Sequence, residues 1–187
     1  SHRKDIATIA EHADRCKKIV AGLLNFARQH KVMFQAVNVR DLVARSLRTL
    51  PVPPGVKVVV QHQVQDPVCE LDPDQMTQVL TNLISNASQA MPGGGTLTLG
   101  TCETPSSVSF IVEDTGVGVP KENLAKIFEP FFTTKQIGKG TGLGLTVTYG
   151  IVKMHRGDIQ VKSNADPNAG PTGTTFTVTI PRHGQAE

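Results

Sequence analysis

The sequence predicts an α+β fold, a two-layer sandwich in which helices cover one face of a sheet, preceded by a long N-terminal helix. The chain has 187 residues, of which 39% are hydrophobic and 19% charged, a composition typical of a globular protein with one domain of common size. All 12 prolines lie from Pro51 onward, so the residues before it can form uninterrupted helices. Beyond Pro51, helical and strand patterns are interleaved, which predicts two packed layers.

The opening segment predicts one long helix. Its apolar residues recur in steps of three and four, the period of a helical bundle or coiled coil, at Ile6, Ile9, Ala13, Cys16, Val20, Leu23 and Ala27. A single helix cannot bury this stripe alone. The helix packs either on its own domain or against other helices, and we favour pairing across a dimer.

The remaining strands and helices are predicted from the pattern of their apolar residues and from the turn residues that separate them. Strands are predicted at residues 34–37, 56–64, 68–71, 96–103, 107–114, 158–163 and 174–180. Helices are predicted at residues 39–50, 73–91, 122–128 and 141–155. Asn38 and Asp72 are the expected N-caps of the first two, Pro73 fits a first helical position, and Gly157 is the expected C-cap of the last.

Within the helix that follows Asp72, one face is apolar. Its predicted buried residues are Met76, Val79, Leu80, Leu83, Ile84 and Ala87. The two strands at 96–103 and 107–114 are expected to form an antiparallel hairpin, because only a short turn around Pro105 separates them.

Charge and cysteine content exclude several classes of protein. A net charge of +3 argues against a nucleic-acid binder driven by bulk charge. No run of apolar residues approaches the roughly 20 needed to span a membrane, and the start is too polar for a signal peptide. The 3 cysteines are far apart in the sequence, so we expect no disulfide framework or zinc site and a reducing, cytoplasmic setting.

Two carboxamides form the first candidate site. Asn82 and Asn86 stand four residues apart and so share one helix face. Their oxygens suit Mg²⁺, which binds a few protein oxygens together with phosphates and water. The alternative is that both simply border the apolar face of the helix.

The second candidate site follows a predicted strand. Asp114, when ionised, accepts hydrogen bonds, and adenine offers an exocyclic amine where guanine offers a carbonyl oxygen. Gly116 and Gly118 would let the backbone approach the ring. The alternative is an ordinary turn of Asp and Gly.

Aromatic and glycine-rich segments form the third and fourth candidate sites. Residues 128–135 place three phenylalanines beside a polar loop, and Lys135 and Lys139 could meet anionic groups. The segment 138–145 alternates glycine with other residues at a predicted helix start, which suits polyphosphate because N–H groups and the helix dipole face the anion. It is not a Walker A loop, because Gly140 follows Lys139 where Ser or Thr would stand.

The order of these four sites resembles the N, G1, F and G2 boxes of two-component sensor histidine kinases, within the superfamily of gyrase, Hsp90, MutL and histidine kinase ATPases. The resemblance covers nearly the whole chain and implies a Bergerat-type ATP-binding fold, in which the sheet is mixed and mostly antiparallel, with ATP and Mg²⁺ as ligands. It also implies that residues 1–31 are the second helix of a dimerisation and phosphoacceptor hairpin, and that residues 32–187 are the catalytic ATP-binding domain.

The resemblance also implies roles for individual residues. Asn86 would ligate Mg²⁺ with Asn82 next to the phosphates, Asp114 would bind the adenine amine, and Thr174 would reach adenine through water. The loop 131–139 would form a mobile ATP lid, with Lys135 among the catalytic residues. The other implied nucleotide-binding residues are Gly116, Gly118, Phe128, Thr134, Lys139, Gly140, Thr141, Gly142, Leu143, Gly144 and Leu145.

One departure concerns the phosphoacceptor, which the family follows with an acidic and then an apolar residue. None of the 6 histidines fits this pattern, and His155 is expected on the surface of the last helix. We therefore expect a fragment that begins after the phosphoacceptor helix, and a kinase core that transfers the γ-phosphoryl of ATP to a histidine elsewhere, for passage to a response regulator. The alternatives are an ATP-sensing dimer module without phosphotransfer and a clamp-type ATPase.

Overall fold

A five-stranded mixed sheet and a layer of helices form the body of the molecule, in a computed structural model that describes residues 31–134 and 141–183. The strands are β1 Gln35–Asn38, β2 Val56–Gln63, β3 Val68–Leu71, β4 Gly95–Glu103, β5 Ser107–Asp114, β6 Asp158–Asn164 and β7 Gly173–Pro181. The helices are α1 Val39–Thr49, α2 Pro73–Ala90, α3 Lys121–Leu124 and α4 Gly144–Met154. The predicted α+β sandwich is confirmed, while the predicted N-terminal helix lies outside the described residues.

The strand order of the main sheet is β2-β4-β5-β7-β6. Strands β2 and β4 run parallel and the other neighbours antiparallel, including the predicted hairpin of β4 and β5. Strands β1 and β3 form a separate antiparallel pair. Because β7 inserts between β5 and β6, its start lies beside the end of β5, with Thr174 opposite Asp114.

The core lies between α2 and the inner face of the sheet. The six apolar residues predicted for α2 are the six that the structure buries there. On the sheet side, alternate residues of β4, β5 and β7 meet them, namely Leu97, Leu99, Val108, Phe110, Val112, Phe176, Val178 and Ile180. Burying each such side chain stabilises the fold by roughly 1.5–3 kcal/mol, so this interface holds α2 in place against the sheet.

Side-chain caps fix the starts of α1 and α2 as predicted. Asn38 Oδ1 accepts hydrogen bonds from the N–H groups of Arg40 and Asp41, at 3.0 and 3.4 Å. Asp72 Oδ1 accepts from Asp74 and Gln75, both at 3.0 Å, with Pro73 at the first helical position. These bonds satisfy N–H groups that the helix cannot pair internally.

The prediction for the last helix is wrong at its start. Helix α4 begins at Gly144 rather than at residue 141, because Gly142 has a positive φ of 68°. The carbonyl of Gly142 accepts a hydrogen bond from Phe131 N–H at 3.0 Å, and a Cβ on Gly142 would lie 2.4 Å from the Phe131 carbonyl carbon. The chain therefore makes a tight turn before the helix starts. The predicted short helix at 122–128 is likewise only Lys121–Leu124.

The end of α4 also differs from the prediction. His155 occupies the C-cap, and Arg156, with φ of 56°, takes the left-handed position expected for glycine. The N–H groups of Arg156 and Gly157 then bond to the carbonyls of Lys153 and Val152, as in a Schellman motif. Gly157 is needed for another reason, since a Cβ there would lie 2.5 Å from Thr179 O of β7.

His155 is buried, not on the surface as predicted, with 1% exposure. Its Nδ1 lies 2.8 Å from Ile151 O and its Nε2 accepts a hydrogen bond from Asp72 N–H at 3.0 Å. These partners select the neutral tautomer with the proton on Nδ1. Phe34 packs edge-on against the ring at 5.6 Å between centroids. The ring therefore joins the end of α4 to the start of α2, a contact with no signal in the local sequence.

Acid is expected to destabilise the fold through His155. Burial lowers the pKa of His155, outweighing the opposing effects of the Ile151 bond and the Asp72 charge. The unfolded chain then binds more protons than the folded one, so the free energy of unfolding falls as pH drops below the ordinary histidine value of about 6.5. Chemical denaturation at several pH values measures this slope.

The variant His155→Gln should flatten that slope, because glutamine does not titrate. The pKa of His62 is also lowered, by burial and by Arg40, so His62 contributes to the same pH dependence. The matched control is therefore His62→Gln, which measures that contribution. An unchanged slope in His155→Gln would show that the buried ring does not set the acid sensitivity.

Candidate functional site

A cavity of about 580 Å³ opens between α2, the end of β5, the start of α4 and the start of β7. It is lined by residues that are far apart in the sequence and that the fold brings together. The predicted site residues on its wall are Asn82, Asn86, Asp114, Gly118, Thr134, Thr141, Gly142, Gly144, Leu145 and Thr174. Ten of the predicted positions thus surround one space.

Asp114 is the one acidic side chain among the described residues that line the cavity. It ends β5 and is 5% exposed, and its Oδ1 accepts a hydrogen bond from Gly116 N–H at 2.8 Å. Burial raises the pKa of Asp114, although hydrogen bonds from the Gly116 and Thr174 N–H groups act in the opposite direction. The ionised carboxylate can accept a further hydrogen bond from a ligand, but it cannot donate one.

Gly116 and Gly118 are required by the protein's own packing. A Cβ on Gly116 would lie 2.5 Å from Ala90 O, and one on Gly118 would lie 2.0 Å from Asn164 O. Gly118 also has φ of 73°. The sequence suggested close approach of a ring, whereas the structure shows close approach of the end of α2 and of the end of β6.

The two asparagines of α2 face the cavity in different surroundings. Asn82 Nδ2 donates to Gly144 O at 3.2 Å and to Thr148 Oγ1 at 3.4 Å, so it ties α2 to the first turn of α4. Asn86 lies one turn further along α2 on the same wall. Both residues therefore supply neutral carboxamides, and Asn82 also positions the start of α4.

The start of α4 opens onto the cavity through Gly144. Leu143 occupies the N-cap, and its aliphatic side chain cannot accept the N–H groups of the first turn. A Cβ on Gly144 would meet nothing closer than Asn82 Cγ at 3.9 Å, which is ordinary contact. Unlike Gly142, Gly144 is thus not demanded by backbone shape or packing. The helix dipole and the first-turn N–H groups, which a helix cannot pair internally, make this end favourable for an anion.

Three predicted residues do not line the cavity. Gly116 is buried beneath it and bonds to Asp114. Phe128 packs its ring against Tyr149 at 5.4 Å, while its neighbour Ile127 faces the cavity instead. Leu143 is 7% exposed at the N-cap of α4. The predicted residues Lys135, Lys139 and Gly140 lie outside the described part of the chain, as does most of the predicted lid.

Sequence reasoning missed most of the apolar wall of the cavity, formed by Val117, Val119, Ile127, Phe132 and Phe176, of which only Phe132 belongs to a predicted candidate segment, residues 128–135. Phe176 could have been found from the alternation of β7, since it points to the same side as Thr174. The others lie in irregular segments, where no period tells which side chain faces inward. A flat aromatic ring fits such an apolar wall when a few polar groups fix its orientation.

Two features are absent from the described residues, a metal-binding cluster and a membrane-spanning helix. Among the described residues, no three or more histidine, cysteine, aspartate or glutamate side chains are grouped to hold a metal by themselves. Within residues 31–134 and 141–183, every helix is too short or too polar to cross a membrane.

The family profile described as "Histidine kinase-, DNA gyrase B-, and HSP90-like ATPase" matches residues 71–184. The chain is 38% identical over 195 residues to sensor kinase CckA of Brucella abortus, covering 95% of this chain and 20% of that protein. It is 36% identical over 176 residues to sensor histidine kinase ZraS of Escherichia coli, covering 92% of this chain and 36% of that protein. The chain thus spans about a fifth to about a third of these relatives.

A solved structure of the mycobacterial sensor histidine kinase MprB is 26% identical, with a TM-score of 0.69, and the match covers 80% of this chain and 97% of that one. The matched profile begins at Leu71 and so includes α2, Asp114 and the start of α4. The cavity and strands β4 to β7 lie within the same segment, whereas β2 precedes it. The chain therefore belongs to the histidine kinase-, DNA gyrase B- and HSP90-like ATPase family.

Proposed function

We propose that this chain is the catalytic ATP-binding domain of a sensor histidine kinase and binds ATP with Mg²⁺ in the cavity. One observation carries the proposal: a buried carboxylate acceptor, an apolar wall and an uncapped helix start share one cavity of about 580 Å³. These surfaces match the amine, the ring and the phosphates of ATP. The named relatives, a sensor kinase and a sensor histidine kinase, support the same assignment.

The donor set fits Mg²⁺ only together with a nucleotide. Asn86 would supply a carboxamide oxygen, and phosphate oxygens and water would complete the shell, as this ion prefers. When bound, Mg²⁺ neutralises phosphate charge. Asn82 keeps the first turn of α4 aligned through its bonds to Gly144 and Thr148. Lys135 and Lys139 remain predicted phosphate ligands.

Phosphoryl transfer requires mainly positioning and charge stabilisation from the protein. In this proposal Asp114 orients the base, with Thr174 beside it, and the N–H groups at Gly144 hold phosphate. The γ-phosphoryl passes to a histidine on the phosphoacceptor helix of the parent kinase and then to an aspartate of a response regulator. The proposal includes a homodimer formed by residues 1–31, a catalytic domain at 32–187 and a cytoplasmic location.

Two measurements test the proposal. Calorimetry should show ATP binding by the chain that is stronger with Mg²⁺ than with a chelator. Mixing the chain with a longer form of the kinase that carries the upstream helix and Asp114→Asn should produce labelled phosphohistidine on the longer partner. ATP binding without any transfer under dimerising conditions would favour the sensing module instead.

Hydrolysis of ATP by the chain alone is expected to be slow. The carboxamide of Asn82 cannot act as a general base towards water, and its NH₂ group is held by Gly144 O and Thr148 Oγ1. Phosphate release followed over hours should remain close to the uncatalysed rate. Rapid multiple turnover would favour the clamp-type ATPase.

Replacing Gly144 with alanine is expected to weaken ATP binding without harming the fold. The added methyl group makes only an ordinary contact with Asn82 Cγ at 3.9 Å, and it reduces the freedom of the unfolded chain, a gain of about 0.4–1 kcal/mol. On the cavity side, the same methyl group would keep a phosphate away from the N–H groups at the start of α4. Loss of one charge-assisted bond corresponds to roughly tenfold weaker binding or more.

Gly142→Ala is the matched control for that experiment. Its methyl group meets the Phe131 backbone at 2.4 Å and its φ is positive, so it should lower the unfolding midpoint. Calorimetry and thermal unfolding of both variants separate the two effects. A Gly144→Ala variant with normal ATP affinity would argue against phosphate at the start of α4.

A further inference from the structure

Ser163 sits beside the cavity without lining it and connects β6 to two segments that line the cavity, the start of β7 and the loop at Val119. It lies on β6, opposite Thr174 of β7 in the sheet register. Its hydroxyl oxygen is 2.9 Å from Thr174 Oγ1 and 2.8 Å from Gly173 O, and it accepts a hydrogen bond from Val119 N–H at 2.7 Å. These hydrogen bonds lie next to Asp114, because Thr174 is paired with Asp114 in the sheet.

The partners of Ser163 determine where its proton lies. A serine hydroxyl has one proton, and the Gly173 carbonyl can only accept, so the proton of Ser163 goes to Gly173 O. The hydrogen bond between the two hydroxyl groups must then take its proton from Thr174. Thr174 is 5% exposed and its hydroxyl is left with lone pairs only.

Thr174 therefore faces the cavity as an acceptor. Asp114 lies directly across the sheet from it, in register on β5, and its carboxylate is also an acceptor when ionised. Two neighbouring acceptors favour a ligand edge that carries N–H donors. A carbonyl oxygen at that edge would meet two acceptors and could form a hydrogen bond with neither.

We propose that Ser163 is a positioning residue for base specificity, because it holds the Thr174 hydroxyl as an acceptor. Through the water that the family resemblance implies, this acceptor favours the adenine amine over a carbonyl. The inference rests on the proposed function, since it requires ATP in this cavity. Without Ser163, the Thr174 hydroxyl can rotate and donate to a carbonyl oxygen. Specificity at the cavity then depends on Asp114 alone.

The test compares the affinities for ATP and inosine triphosphate, whose base carries a carbonyl oxygen in place of the amine. Ser163→Ala should reduce the preference for ATP by roughly three- to tenfold, the range of one neutral hydrogen bond. Because both ligands are measured on the same sample, any loss of folded protein cancels in the ratio. Ser163→Thr, which retains the hydroxyl group, should keep the wild-type preference.

Ser109→Ala is the matched control. Ser109 and Thr179 form a similar cross-strand hydroxyl pair in the same sheet, at 2.8 Å, but neither lines the cavity. This variant should leave the ratio unchanged. If Ser163→Ala does not fold, Ser163→Cys replaces it, since a thiol is a much weaker partner for the Thr174 proton.

A double-mutant cycle with Thr174→Val separates positioning from general damage. If Ser163 acts through Thr174, adding Ser163→Ala to Thr174→Val changes the ratio no further. An effect that persists in this background, or an unchanged ratio in Ser163→Ala alone, would overturn the inference while ATP binding stands. Failure of the wild-type chain to bind ATP would instead refute the proposed function.

Discussion

Replacing Asp114 with asparagine is expected to weaken ATP binding by about 1.5–3 kcal/mol, the value of a hydrogen bond to a charged group. Asparagine keeps the shape of the side chain but presents an NH₂ donor where the adenine amine also donates. Calorimetry of the variant and the wild-type chain measures the change in Kd. An unchanged Kd for ATP would refute the assignment of Asp114 to the base.

The fold should survive this substitution. The pKa of Asp114 is raised by burial, so its ionised form is less favourable in the folded chain than in the unfolded one. Removing that charge should therefore not lower the free energy of unfolding at neutral pH. Glu113→Gln is a suitable control, because this neighbour on β5 is exposed and loses the same charge. It should leave the ATP affinity almost unchanged.

Replacing Arg182 with alanine is expected to lower the free energy of unfolding by about 3 kcal/mol, the lower end of the usual cost of removing one partner from a buried ion pair, because Glu103 is partly exposed. The residue is 9% exposed and forms an ion pair with Glu103, at the end of β4. Its Nη1 also donates to Asp66 O at 3.1 Å and Val68 O at 2.8 Å. Arg182 thus joins β4 of the main sheet to the turn that precedes β3.

Two further variants separate geometry from charge at this position. Arg182→Lys keeps the charge but cannot reach all three partners with one ammonium, so it should restore only part of the lost stability. Lys153→Ala removes an ion pair with Asp158 on an exposed surface and should leave the midpoint almost unchanged. Denaturant titration measures all three. A wild-type midpoint in Arg182→Ala would contradict the structural role assigned to this side chain.

The local elements were predictable because their signals are local. The cap residues Asn38 and Asp72 act on N–H groups two or three positions away, and the buried face of α2 repeats with the helical period. Where prediction failed, a distant partner decided the outcome. Gly142 turns before α4 because it lies against Phe131, and His155 is buried because Asp72 bonds to its ring.

In the candidate site, too, the local features were predictable and the contacts between distant residues were not. The order of the asparagines, Asp114 and the glycine-rich segment was enough to suggest a nucleotide site and a family. The order of the motifs did not predict which side chains face the cavity, since Ile127 rather than Phe128 faces it and Gly116 lies beneath it. Ser163 gave no signal at all, because its partners lie on a loop and on the neighbouring strand.

The sequence by itself determined which segments are helices and strands and which residue types could meet a nucleotide, because periodicity, caps and motif order are properties of neighbouring residues. The tertiary structure alone decided that β7 pairs with β5, placing Thr174 beside Asp114, and that Asn82 meets Gly144. Such pairings depend on the free energy of packing distant segments together. No local pattern specifies that quantity, so the chemistry of the cavity emerges only when the sheet and helices assemble.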